Sequence, residues 1–270
     1  METNIFGNIQ IGAKNKSGIA TLALVFVLLL TTAYAFYSFD YKDINLAEAL
    51  ADTWHNICTV FFQPALTRDT VTGVLYQLLV TFCLGMLSTL FGAILAFIFA
   101  LFCASNISSG KIAIVIKSIV SIARAVPTVL WVLIFAVAAG LGSVAAVIGL
   151  TFHSFAYLTK VYAETIEEIE EGTIEALKAS GAGFFQIVCQ AVIPASISSM
   201  VAWTFMRFEI NFTNAVAMGA AAGAGGIGYN LYMAGNFYFD LHEMGFLTYV
   251  VVITVLLLEM VATKIKRAVK

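Results

Sequence analysis

One guanidinium set among apolar residues is the chemistry this sequence has to explain. Arg207 stands in the run IPASISSMVAWTFMRFEINFTNAVAM, residues 193–218, which holds no other basic side chain. A charge at the centre of a membrane span costs at least about 2.5–3.5 kcal/mol on insertion scales, so such a residue is a site candidate by default. Asn211 and Asn214 follow four and seven positions later. On a helix, Arg207, Asn211 and Asn214 therefore make one polar stripe, able to line a pathway and meet an anion through charge-assisted hydrogen bonds. A second reading stays open, in which Arg207 is held in a buried ion pair and never meets substrate. Glu209, two positions on, points to another face and suits a partner on a second span or a second subunit.

Gly223, Gly225, Gly226 and Gly228, in GAGGIG, satisfy the spacing of the dinucleotide fingerprint. That fingerprint needs a preceding strand in a βαβ unit, and here an apolar span precedes it, so a nucleotide site is rejected. The glycines suit a sharp re-entrant turn or a close backbone approach at the outer mouth of a pathway, with a plain flexible loop as the alternative. His55, His153 and His242 are dispersed, and neither a His-x-x-x-His nor a Cys-x-x-Cys pair occurs, so no metal is expected. The four cysteines read as small apolar side chains. No G-x-x-x-x-G-K-[ST] phosphate loop and no nucleophile with a neighbouring base is present. ATP and Mg²⁺ chemistry would belong to another polypeptide, and this chain reads as no enzyme.

The stretch EALKASGAGFFQIVCQAVIP, residues 175–194, carries a glycine turn in its middle and a proline at its end. Glu175, Ala176 and Leu177 close one short helix. Gly181 leaves the right-handed region at no steric cost, Ala182 follows it, and a second amphipathic turn from Gly183 to Val192 runs to Pro194. Lying between two spans, it offers a shaped knob to a partner.

The elements that position these groups are membrane spans. Hydrophobic residues make up 61% of the 270-residue chain and charged ones 11%, which leaves too little charge to clothe a water-soluble surface. The formal net charge of −2 and the lack of basic runs point away from nucleic acid. The reading is an all-α membrane protein with six transmembrane helices. Lys14 and Lys16 precede a first span over Ile19–Tyr37, although Ala33-Tyr34-Ala35 also has the small-x-small pattern of a cleavage site. Residues 38–70, with Asp40, Lys42, Asp43 and a Trp54, Ile57, Cys58, Phe61, Phe62 face, suit a helix on the outer surface. A long tilted span covers 72–103. An amphipathic stretch with Lys111, Lys117 and Arg124 feeds a third span to about Ala139, with Pro127 near its start, where the missing amide is tolerated. The fourth span, Ser143–Tyr162, continues as a helix bearing Glu164, Glu167, Glu168, Glu171 and Glu175, either a solvated face or a contact with a basic partner. The fifth covers Ala195–Met218 and the sixth Phe246–Thr263, closed by Lys264, Lys266, Arg267 and Lys270. Of the 14 Lys and Arg residues, all but Lys42, Arg68 and Arg207 then fall on one side, which places both termini in the cytoplasm.

Residues 175–194 resemble the EAA loop of ABC importer permeases, with Glu175, Ala176, Gly181 and Pro194 in register and Leu177, Ser180, Ala191 and Ile193 departing from the pattern. Together with ARAVPTVLWVLIF at 123–135, RFEIN at 207–211 and GAGGIGYNL at 223–231, the chain is similar to permeases of the phosphonate importer family. The resemblance implies a type I ABC importer permease fold in a bacterial cell membrane. One N-terminal helix within residues 1–71 would precede a five-helix core over 72–270, with a cytoplasmic coupling loop at 163–194. It implies two ABC ATPase subunits docked on the coupling loops, an external solute-binding protein, a second copy of the chain, and alternating access for phosphonate, phosphite or phosphate. Family members often carry a basic residue shortly after the RFEIN block, whereas this chain has Phe212, Thr213 and Asn214. A self-sufficient secondary transporter driven through Arg207, Glu209 and Glu259 is the alternative, but the halves show no self-similarity to support it.

Overall fold

The computed structural model describes residues 16–39 and 44–269, and all regular structure among them is helical. Lys14, Asp40, Lys42, Asp43 and Lys270 lie outside the described residues. The chain divides into two units, residues 1–53 and residues 54–270. In the first, α1 (Lys16–Ser38) is apolar from Gly18 onward and long enough to cross a membrane, and it contains Ala33-Tyr34-Ala35. α2 (Leu46–Phe62) begins in this unit and continues into the second.

The second unit is organised on α3 (Val71–Cys103), which packs against α4 (Gly110–Ala125), α6 (Ser143–Glu167), α9 (Ile193–Ala222) and α10 (Gly226–Tyr232). Its buried face is a stripe of small residues: Gly85, Ser88, Thr89, Gly92, Ala96 and Ala100. Between membrane helices such stripes let backbones approach, and close packing supplies what hydrophobic exclusion cannot. A β-carbon on Gly92 would lie 2.7 Å from Ser154 Cβ, and one on Gly85 3.1 Å from Phe212 Cα. These two approaches bring α6 and α9 against the same stretch of α3.

Among the described residues five helices are long and apolar enough to span a membrane, and six spans are reached when α4 and α5 (Thr128–Ala139) are counted as one broken span bent by 92°. The expected third span is thus a bent pair and not one straight helix. α5 has 12 residues, and at roughly 1.5 Å per residue it falls short of a hydrocarbon core about 30 Å thick. Val126 and Pro127 are extended, which ends α4, and Trp131 Nε1 donates to Ala123 O at 2.9 Å across the bend. The acidic extension of α6 is corrected. The helix stops at Glu167 and restarts as α7 (Glu171–Ala179), and the turn between them lets Ile166 and Ile174 enter one apolar cluster.

Pro194 does not end the coupling stretch. Phe184–Ile187 (α8), a π-helical turn over Val188–Val192 and α9 form one helical run to Ala222. The wider turn accommodates a proline that has no N–H to donate and whose ring would crowd the carbonyl four residues back. After α10, a second π turn (Met233–Phe237) leads to α11 (Leu241–Val269), which starts five residues before the expected sixth span. Its first turn is tied to the segment before α3: Glu243 accepts from Asp69 N at 2.8 Å, and Thr67 Oγ1 donates to Asp240 at 2.5 Å. The Thr67 hydroxyl holds the Asp240 carboxyl below the ordinary range.

Candidate functional site

Arg207 is the fifteenth of the 30 residues of α9 and is 3% exposed. Its Nε donates to Ser154 Oγ at 3.0 Å and its Nη2 to His153 Nδ1 at 2.8 Å, both on α6. The guanidinium also lies over the Tyr157 ring, 5.2 Å from its centroid, and Arg124 of α4 lies 5.9 Å from the same ring. Arginine can only donate, so His153 accepts at Nδ1 and carries its proton on Nε2. Among the described residues the ion pairs are Arg68–Asp240, Lys117–Glu167 and Lys160–Glu164, so Arg207 has no carboxylate partner and the buried ion pair is not formed. Glu209, half-buried, is in none of these pairs either.

Asn211 joins the same node. Its Nδ2 donates to Ser154 Oγ at 2.7 Å and to Thr89 Oγ1 at 2.8 Å. Both hydroxyls spend their protons on backbone carbonyls one turn back, Ser154 on Leu150 and Thr89 on Gly85. They can only accept from the amide, which fixes its orientation and turns Oδ1 away. That oxygen is buried and receives no hydrogen bond from any described residue. Of the expected stripe, Arg207 and Asn211 converge on one hydroxyl. Asn214 stays on their face, about 10 Å along the helix from Arg207 and about 4.5 Å from Asn211, half-buried and without a hydrogen bond to the described residues.

The glycine segment is a packed turn and not a loose loop. Gly223, Gly225 and Gly226 have φ of 61°, 79° and 73°, a region closed to most other residues. Gly226, Ile227 and Gly228 are buried. Gly226 N donates to Gln77 Oε1 at 3.1 Å and Ile227 N to Thr81 Oγ1 at 2.9 Å, so two side chains of α3 satisfy the first amides of α10. A β-carbon on Gly228 would run into Val216 O, and one on Gly219 would lie 2.7 Å from Gly225 O. The turn therefore clamps α10 against α9.

At the other end of α9, the expected coupling residues occupy one turn. Glu175 and Ala176 are exposed, while Leu177 and Ala182 are half-buried against the cluster holding Ile174 and Ile187. Gly181 has φ of 83°; its N donates to Lys178 O at 3.0 Å, and Ala182 N donates to Leu177 O at 3.0 Å. This paired arrangement is a Schellman cap. Gln186 Oε1 accepts from Gly183 N at 2.7 Å, and Phe185 projects, 80% exposed, just beyond it. Lys178 Nζ donates to Asn106 O at 3.2 Å, while Ser105 and Lys117 converge on Glu167, tying α7, the α3–α4 segment and α6 together.

Ser154, Tyr157 and Thr89 took no part in the sequence reading, and His153 entered it only as one of three dispersed histidines. A His-Ser pair midway along an apolar span was the available signal. Spacing along one helix does not reveal that α3 and α9 arrive at the same point.

The fold is that of a type I ABC importer permease. The chain superimposes on a chain of the inward-facing MetNI methionine ABC transporter with a TM-score of 0.68 and 24% identity, covering 76% of this chain and all of that one. The chain belongs to the family of binding-protein-dependent transport system inner membrane components, whose pattern matches residues 92–270, and it is thus a multi-pass membrane protein. Among relatives, it is 33% identical over 152 residues to the phosphate-import permease protein PhnE of Mycolicibacterium smegmatis, a match covering 56% of this chain and 28% of that one. It is 28% identical over 220 residues to the permease protein HtxC of Stutzerimonas stutzeri, named for a phosphite transport system, covering 81% of this chain and 76% of that one. The match thus spans little more than a quarter of the length of the Mycolicibacterium relative.

Proposed function

We propose that this chain forms the membrane pathway of an importer for phosphonate or a related oxyanion such as phosphite or phosphate, working by alternating access. The observation that carries the reading is Arg207. It is buried at the middle of a spanning helix and, among the described residues, is held by neutral groups alone, so its charge is oriented but not neutralised by them. A buried charge without a counter-ion is costly, and a guanidinium retained for packing would be expected beside a carboxylate. Of its five N–H groups, Ser154 and His153 engage two, which leaves three for an anion. Arg124, across the Tyr157 ring, offers a second positive station toward the α4 face. The two relatives named for phosphate import and phosphite transport support this substrate class.

In this reading two copies assemble around the pathway, a solute-binding protein delivers the anion at the α10 end, and separate ATPase subunits supply ATP hydrolysis. Those subunits dock on the exposed surface of Glu175, Ala176, Gly181 and Phe185, which faces the cytoplasm with both termini. α8 runs without a break into α9, so a push on the docking surface is delivered to the helix that carries Arg207. The packed turn of Gly223, Gly225, Gly226 and Gly228 shapes the pathway mouth.

The test is uptake of labelled phosphite by cells expressing the whole complex with Arg207→Gln. The expected result is a loss of uptake of roughly tenfold or more, the equivalent of one charge-assisted contact, with normal membrane levels and retained basal ATPase activity. A variant that transports normally would overturn the role, and one that fails to reach the membrane would assign Arg207 to folding.

A further inference from the structure

Asn211 Oδ1 is a buried acceptor with no donor among the described residues. Asn211 is fully buried, its Nδ2 is committed to Ser154 and Thr89, and rotating the amide would set Oδ1 against two hydroxyl oxygens whose protons already go to Leu150 O and Gly85 O. A buried acceptor left unpaired is costly, and natural cores pair nearly all of them. Its neighbour is the opposite case. Arg207, bonded to the same Ser154 oxygen, has donors to spare and a positive charge. One face of this node therefore gives hydrogen bonds to an anion, and one oxygen asks for a proton.

Resting on the reading that Arg207 meets the transported anion, we propose that this node takes an oxyanion that still carries a proton. The anion's charged oxygens accept from the guanidinium, and its own O–H donates to Asn211 Oδ1. Hydrogen phosphite, dihydrogen phosphate and the monoanions of alkylphosphonates satisfy both demands. Sulfate, fully ionised at neutral pH, presents only lone pairs and sets one against Oδ1. Asn211 is then a specificity-determining residue for the protonation state of the substrate, a selection made inside the membrane in addition to any made by a binding protein.

The experiment uses the permease–ATPase complex in lipid nanodiscs without its binding protein and follows the thermal unfolding midpoint as ligand is added. The probes are methylphosphonate, which retains a proton near neutral pH, trifluoromethylphosphonate, which is almost fully ionised there, and sulfate. The expected outcome is that methylphosphonate acts at a concentration about tenfold or more below the other two, the ratio corresponding to one buried hydrogen bond. Equal effects of all three that vanish in Arg207→Gln would overturn the proton selection and leave the anion reading of Arg207 intact. Equal effects that persist in Arg207→Gln would overturn both. Because the comparison among ligands is made on the unaltered complex, it does not depend on any variant folding.

Discussion

Replacing Gly181 tests whether the cap of α7 is what presents the docking surface. The residue has φ of 83°, and a β-carbon there would meet nothing within 4 Å. A clash of the β-carbon is therefore not what opposes substitution. The cost is conformational: an L-residue in the left-handed region pays about 1–2 kcal/mol, and asparagine pays less because its side chain bonds locally. α7 has nine residues, and a helix that short is marginal without tertiary support. Its anchors include Ile174, 2% exposed, the Lys178 bond to Asn106 O, and the two cap bonds to Leu177 O and Lys178 O. Losing about 1–2 kcal/mol raises the population with an open cap by roughly 5- to 30-fold. Hydrogen exchange on the assembled complex reads this directly at the amides of Gly181 and Ala182. Exchange is expected to rise in the order Gly181, Gly181→Asn, Gly181→Ala, and ATP-driven uptake to fall in the same order while the complex remains assembled. Identical protection in Gly181→Ala and the parent, or greater loss in the asparagine variant, would refute the conformational argument.

Gly228→Ala is expected to lower the unfolding midpoint of the complex, because its β-carbon would run into Val216 O and overpacking costs about 1–3 kcal/mol. An unchanged midpoint would mean that α10 is not clamped to α9. His153→Asn keeps an acceptor near the position of Nδ1 and should retain more uptake than His153→Gln, whose amide reaches the position of Nε2. The reverse order would show that His153 acts through its distal nitrogen and not by orienting Arg207.

How much of this was legible in the sequence depended on what each residue costs. Arg207 announced itself because a charge in an apolar run is expensive, and helical spacing tied Asn211 to it. The span limits of α3 and the start of α6 followed from apolar length, and Gly225 and Gly226 signalled a turn because few other residues take their φ. Pro127 marked the break after α4, but a bend of 92° is a property of packing, fixed in part by Trp131 reaching back to Ala123. Pro194 misled, since a π turn absorbs what would otherwise end a helix.

The hydroxyls were the hardest to read, for a reason intrinsic to membrane helices. Ser88, Thr89, Ser154, Thr159 and Thr165 all donate to the carbonyl four residues back, so each is satisfied within its own helix and looks silent. What separates Thr89 and Ser154 from the others is the lone pair left over, and whether a neighbouring helix uses it. Gly92 brings α6 onto α3, Gly85 brings α9 onto α3, and Asn211 then bridges Thr89 and Ser154. The site is therefore encoded as much by the glycines that let three backbones meet as by the polar groups at the meeting point. Larger residues at Gly85 or Gly92 would push α9 or α6 away from α3, and Asn211 would lose one of the two acceptors that hold its amide in place.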